Sequence, residues 1–249
     1  MRLQDRIRVK AKNSNLIRRI YVSIFSSYER QWNLLGRNEN KAIKHILNVE
    51  NRATFDLRGE QFTNELKRLI EPNSVVLDLG CGIGRVERFL APHCKEIYGV
   101  DVSGKMIKLA KRNVIYENVH FHKNNGRDLS AFPDKRFDFV FSVAVLQHIE
   151  KEDALFYLME IYRVLKENGK VYLQFPNLLC DANLRSFLDI SKQKYRSVSR
   201  MRYYTTAEIE KIMEAIGFKI DSLVERGDYE DYDSKHENYS IYVLASKIT

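Results

Sequence analysis

An apolar run, Val75-Val76-Leu77-Asp78-Leu79, leads straight into Gly80-Cys81-Gly82-Ile83-Gly84. Four apolar residues with one acid read as a buried parallel strand, and glycines at alternate positions read as a tight turn entering a helix. Glycine takes positive φ without strain and lets the backbone pass close to a ligand. Twenty-one residues beyond Gly80, a second short strand ends in Asp101. A glycine turn after one strand and an acid closing the next is the arrangement with which doubly wound sheets hold a nucleoside, the carboxylate on the ribose hydroxyls.

The spacing separates one ligand class from another. Dinucleotide sites use G-x-G-x-x-G. Here Gly80, Gly82 and Gly84 run G-x-G-x-G with Arg85 next, so the dinucleotide form fails. The pattern D-x-G-x-G-x-G resembles motif I of the class I S-adenosylmethionine-dependent methyltransferases, and the resemblance extends from about Trp32 to the C-terminus. It implies a Rossmann-like, seven-stranded, mostly parallel sheet with a closing antiparallel strand, helices on both faces and S-adenosylmethionine as cofactor. It places Asp78, Gly80, Cys81, Gly82, Gly84 and Arg85 at the cofactor turn, and Asp101, Val102 and Met106 at the ribose and adenine. Asn124-Asn125-Gly126-Arg127-Asp128 resembles the loop that grips the adenine edge, with Asn125 or Asp128 as acceptor beside Gly126. Phe137 to Ser142, then Val143, resembles the fourth strand and its exit. His148, in the turn that follows, is the candidate general base, since imidazole titrates in the right range; fixing that turn is its alternative role. Tyr28, Arg58 and Tyr204 are further pocket candidates.

The alternation along the chain supports this architecture. Strands are expected at 74–79, 96–100, 119–122, 137–143, 170–175, 218–224 and 239–246, with helices at 59–70, 83–91, 103–116, 151–166 and 205–216. Ser103 and Thr206 are the expected N-caps and Gly217 a C-terminal stop. Residues 1–55 read as a basic helical extension, and residues 56–249 as the methyltransferase-like domain with a polar insertion at about 177–204.

Net charge is +8, but residues 1–37 hold nine Lys/Arg against Asp5 and Glu29, leaving +1 for the other 212. The basicity therefore belongs to an N-terminal arm, which either packs its apolar stripe (Leu16, Ile17, Ile20, Tyr21, Ile24) on the domain or meets an anionic lipid surface or nucleic acid. Leu16 to Phe25 carries Arg18 and Arg19 and is too short for a membrane span. The start has no apolar h-region, so no signal peptide is expected. The three cysteines show no metal-ligand spacing; no metal is expected, and a reducing cytoplasm is the expected compartment.

For the acceptor, Trp32 to Arg37, Phe55 to Gly59 and Leu146 to Ile149 resemble a subgroup of small methyltransferases associated with glycan assembly. A hydroxyl of a sugar or related small molecule is the expected acceptor. Two other readings stand beside it. One is an RNA or protein methyltransferase using the arm and Lys192, Lys194, Arg196, Arg200 and Arg202, with Tyr195, Tyr203 and Tyr204 as stacking surfaces. The other is a non-catalytic binding module.

Overall fold

The structure is a computed structural model, and it describes residues 27–193, 200–227 and 239–248. The first 26 residues, where most of the basic arm falls, lie outside them, as do Lys194, Tyr195 and Arg196.

β1 (Val75–Leu79) is buried along its whole length, as an apolar run between two parallel neighbours must be. It is an inner strand of a seven-stranded sheet with β2 (Glu96–Asp101), β3 (Val119–Lys123), β4 (Phe137–Ser142), β5 (Leu165–Pro176), β6 (Phe218–Arg226) and β7 (Ser240–Lys247), ordered β3-β2-β1-β4-β5-β7-β6. β7 runs antiparallel to both β5 and β6, and the other pairings are parallel. Chain order reverses between β1 and β4, which opens a crevice at the C-terminal ends of β1, β2 and β4.

Helices cover both faces. α1 (Tyr28–Leu35), α2 (Glu39–Leu47) and α3 (Arg52–Leu66) precede the sheet; α4 (Glu87–Leu90), α5 (Gly104–Asn113), α6 (Lys151–Val164), α7 (Asp181–Ser191) and α8 (Thr206–Ile216) follow. On one face Leu158 and Ile161 of α6 and Met213 of α8 pack on Leu77, Val140 and Val171. On the other, Phe62 and Leu66 of α3 and Leu90 of α4 pack on Val76, Phe139 and Phe141. Ala42, Ile43, Leu47 and Phe55 form one buried cluster with Ile83 and Met106, so α2 and α3 are seated on the glycine turn and α5.

Several expected bounds move, each for a local reason. The helix expected over 83–91 is a run of turns with α4 only at Glu87–Leu90 and a short 3-10 turn after it, because the backbone is still at positive φ at Gly84. α3 begins seven residues before the expected start, at Arg52, because the Asn51 side chain accepts the Thr54 N–H at 2.8 Å. α3 thus runs across residue 56. Ser103 caps α5 as expected. The cap of α8 is Thr205, not Thr206; its hydroxyl accepts from Glu208 N, and Gly217 closes the helix at φ +107°. β5 starts early, at Leu165, and its pairing with β4 is irregular beside Asn168, which is left-handed at φ +63°. Within the expected insertion, α7 is a regular helix with Leu184, Phe187 and Leu188 exposed.

Candidate functional site

A cavity of about 110 Å³ opens at the crevice. That is several times the space one water requires. Its floor is the end of β1 and the glycine turn. One wall is the end of β2 (Val100, Asp101, Val102), and another is the exit of β4 (Val143, Ala144, Val145).

The turn is fixed by backbone bonds and by packing. Gly80 and Cys81 both donate their N–H groups to the Val100 carbonyl, at 2.7 and 3.0 Å, which ties the turn to β2. Gly80 stands at φ +92°, and a Cβ built on it would lie 2.1 Å from Val145 Cγ2. Position 80 thus needs glycine twice over, for conformation and for contact. Val145 is aimed there by Ala144, a left-handed residue at φ +61° whose N–H donates to Gln174 Oε1 at 2.7 Å. Buried Gln174 in turn donates to Ser240 Oγ at 2.9 Å, so a β5–β7 contact shapes the β4 exit.

Asp101 closes β2 with its carboxylate held by two backbone donors, Gly82 N at 3.1 Å and Ser103 N at 2.7 Å. Burial outweighs those bonds and pushes its carboxyl up to about 6. Each oxygen can accept further hydrogen bonds, the capacity that two vicinal ribose hydroxyls require. Glycines held at positive φ beside this acid, where the turn faces the cavity, fit a nucleoside with a polar tail.

Of the residues expected at the cofactor, Asp78, Gly80, Cys81, Gly82, Arg85, Asp101, Val102, Met106, Gly126 and Val143 line the cavity, and so does His148. The remaining four do not. Gly84 faces Val114 and Phe121, on the side of α5 and β3. Ser142 is fully buried between strands, its hydroxyl donating to Leu79 O at 2.9 Å. Asn125 is exposed and bonded to Asp128, whose carboxylate also receives both donors of Ser130. Those bonds hold Asp128 below the usual carboxylate range, the Ser130 hydroxyl most of all. The loop turns Asn124 inward instead: its Oδ1 accepts from Gly126 N and, at 2.8 Å, from Tyr157 Oη, while its Nδ2 donates to Asp128 O.

The roof comes from helices that precede the sheet. Tyr28 and Trp32 of α1, His45 and Ile46 of α2 and Phe62 of α3 all line the cavity. α1 is anchored on two sides of the opening. The Tyr28 hydroxyl donates to Asp153 Oδ2 at 3.0 Å and accepts from Glu150 N at 2.8 Å. Asn33 Oδ1 accepts from the Ser103 hydroxyl at 2.8 Å and from Lys105 N. Trp32 meets the His148 ring edge-on, with centroids 5.3 Å apart. Of the other pocket candidates, Arg58 reaches toward the Leu47 carbonyl, and Tyr204 is buried against Phe175.

The His148 turn is held from behind by Arg202. Its guanidinium donates to His148 O at 3.0 Å and to Glu150 Oε1 at 2.6 Å. Arg200 pairs with the same carboxylate at 2.9 Å.

Among the described residues no cluster of three or more His, Cys, Asp or Glu is placed to hold a metal, and no helix is long and apolar enough to cross a membrane. Cys81, Cys94 and Cys180 are buried free thiols.

Comparison with known proteins agrees with this geometry. Residues 77–173 match the family described as "Methyltransferase domain". Over those residues the chain is similar to methyltransferase domains, and the match spans the glycine turn, Asp101 and the β4 exit that bound the cavity. The chain is 28% identical over 170 residues to phosphoethanolamine N-methyltransferase of Triticum aestivum, covering 65% of this chain and 33% of that one. It is 34% identical over 97 residues to demethylmenaquinone methyltransferase of Tropheryma whipplei, covering 39% of each. The aligned region thus spans only a third or so of the length of such curated relatives. Among solved structures, magnesium protoporphyrin IX methyltransferase from Synechocystis, determined with bound S-adenosylhomocysteine, superposes with a TM-score of 0.65 at 20% identity, covering 88% of this chain and 97% of that one. A methyltransferase of Methanosarcina mazei gives a TM-score of 0.61 at 19% identity over 74% and 97%. At these identities the structural likeness is one of fold.

Proposed function

We propose that this chain binds S-adenosylmethionine in the crevice and transfers its methyl group to a hydroxyl of a small molecule or sugar. The observation that carries the cofactor is Asp101, fixed at the end of β2 by Gly82 N and Ser103 N and open to the cavity beside the glycine turn. Bound there, S-adenosylmethionine would supply an already activated methyl for in-line displacement, in which the C–S bond would break as the bond to the acceptor forms. The protein's part is alignment: the turn and Asp101 hold one reactant, and the roof residues Tyr28 and Trp32 bound the space for the other. His148 lies in that space and is the side chain suited to take the acceptor's proton.

Among the described residues of the insertion, the basic and aromatic side chains favour a small acceptor over RNA. Arg200 and Arg202 are both engaged with Glu150, and Lys192 with Asp189. Tyr203 and Tyr204 are buried, at 4% and 2% exposure, so neither offers a face for a base. The test is transfer of labelled methyl from S-adenosylmethionine to a panel containing hydroxyl-bearing sugars, ethanolamine phosphate and RNA. Label in the sugars supports the reading. Label only in the amine would move the acceptor toward that named in the wheat relative, and label only in RNA would overturn the small-acceptor reading.

A further inference from the structure

One buried side chain next to the cavity is left without a partner by the contacts described so far. Glu87, on α4, is 0% exposed, and neither of its carboxylate oxygens has a hydrogen-bond partner among the described residues. Its place is set by a missing side chain: a Cβ on Gly99 would lie 2.6 Å from Glu87 Oε1. Gly99 is the β2 register partner of Asp78 on β1. The gap at 99 therefore seats the Glu87 carboxyl beside that of Asp78, which is itself 5% exposed and lines the cavity.

The charged groups facing the pair are Arg85, from the turn before α4, and Asp101, from β2; the Cys81 thiol lies close by. One cation thus faces three acids. An ionised carboxylate buried without a donor is heavily penalised, and the group takes up a proton instead. Two carboxyls in contact bond to each other only when one is protonated, and they titrate as a pair. Burial, and then the neighbouring carboxyl, raises Asp78 well above the ordinary range, and burial raises Glu87.

We propose that Glu87 is a positioning residue for the cofactor, sharing one proton with Asp78 in the ligand-free protein and releasing it to solvent when the amino group of S-adenosylmethionine comes beside Asp78. This rests on the cofactor reading above. The cofactor's ammonium replaces the proton as the positive charge beside the acids, so the pair is a receptor for a cation: it carries one negative charge before binding, and pair plus ammonium carry the same net charge after it.

The test is titration calorimetry of S-adenosylmethionine into the full chain at about pH 7.5, in two buffers of different ionisation enthalpy, with wild type and Glu87→Gln. The buffer dependence counts protons. Wild type should release about one proton per cofactor, and Glu87→Gln close to none, because the Gln amide donates to Asp78 and leaves it ionised beforehand. S-adenosylhomocysteine keeps the ammonium and should give the same count in wild type. Asp78→Asn provides a second variant and should also remove the release. Equal proton release by wild type and Glu87→Gln, no release by a binding wild type, or release with the sulfonium form alone would each overturn the proposal. Failure of folded wild type to bind either compound would overturn the cofactor reading itself, a result distinct from binding without proton release.

Discussion

The Val145 side chain occupies the space that a Cβ on Gly80 would need, its Cγ2 2.1 Å from that position. The exit of β4 and the turn after β1 are therefore fitted to each other. Gly80→Ala should lose cofactor binding and destabilise the fold, through a clash and through φ +92°, which costs a non-glycine residue about 1–2 kcal/mol. The double variant Gly80→Ala/Val145→Ala should recover the part due to the clash only. Thermal unfolding of the four proteins in the cycle separates the two contributions.

Arg202 acts on the site through main chain. It bonds the His148 carbonyl and Glu150 while its own side chain is 6% exposed. Arg202→Ala should destabilise by about 1–3 kcal/mol, less than breaking a fully buried pair, because the Glu150 side chain is 44% exposed. Arg202→Lys should recover little, since ammonium cannot span both acceptors as the planar fork does. Urea unfolding measures the first effect, and the acceptor KM of each variant reports whether the His148 turn has shifted.

His148→Ala should reduce kcat by about 10²–10⁴-fold, the usual range for a lost general base, with cofactor affinity changed little. Steady-state kinetics with each substrate varied in turn checks this. An unchanged kcat with raised acceptor KM would instead assign His148 to binding.

The site acids set the sign of the pH dependence of stability. Asp101 is raised to about 6, and Asp78 and Glu87 are raised as well, all by burial foremost. Between pH 4 and pH 7 the folded state therefore holds protons that the unfolded chain has lost, so stability from these groups is full below about pH 4 and falls as pH rises through 6 to 7. Thermal unfolding of the ligand-free protein should show this decline from pH 5 to 8. Asp101→Asn should flatten it, with a gain on the order of 1–3 kcal/mol at the alkaline end.

Much of the fold was legible because its signals are local. The apolar run into Gly80, the acid at Asp101 and the cap at Ser103 each depend on neighbours in sequence. Other features depend on partners that are distant in the chain. Trp32, His45 and Phe62 line the cavity because α1 to α3 fold back over the crevice. Trp32 has the same sequence appearance as a core anchor. The inward residue of the 124–128 loop is Asn124 rather than Asn125, a choice made by Tyr157 on α6, 33 positions away. Ala144 takes left-handed backbone that its residue type does not advertise, held there by Gln174 from another strand. Glu87 falls in the stretch expected as a helix over 83–91, most of which does not form, and its burial depends on Gly99 lacking a side chain.

The most direct test of the account is calorimetric titration of S-adenosylmethionine into wild type and into Asp101→Ala. Wild type should bind, and the variant should bind at least about tenfold more weakly, since hydrogen bonds to a charged group contribute about 1.5–3 kcal/mol each. Equal binding by the two proteins, or no binding by folded wild type, would contradict the assignment of this crevice as the cofactor site.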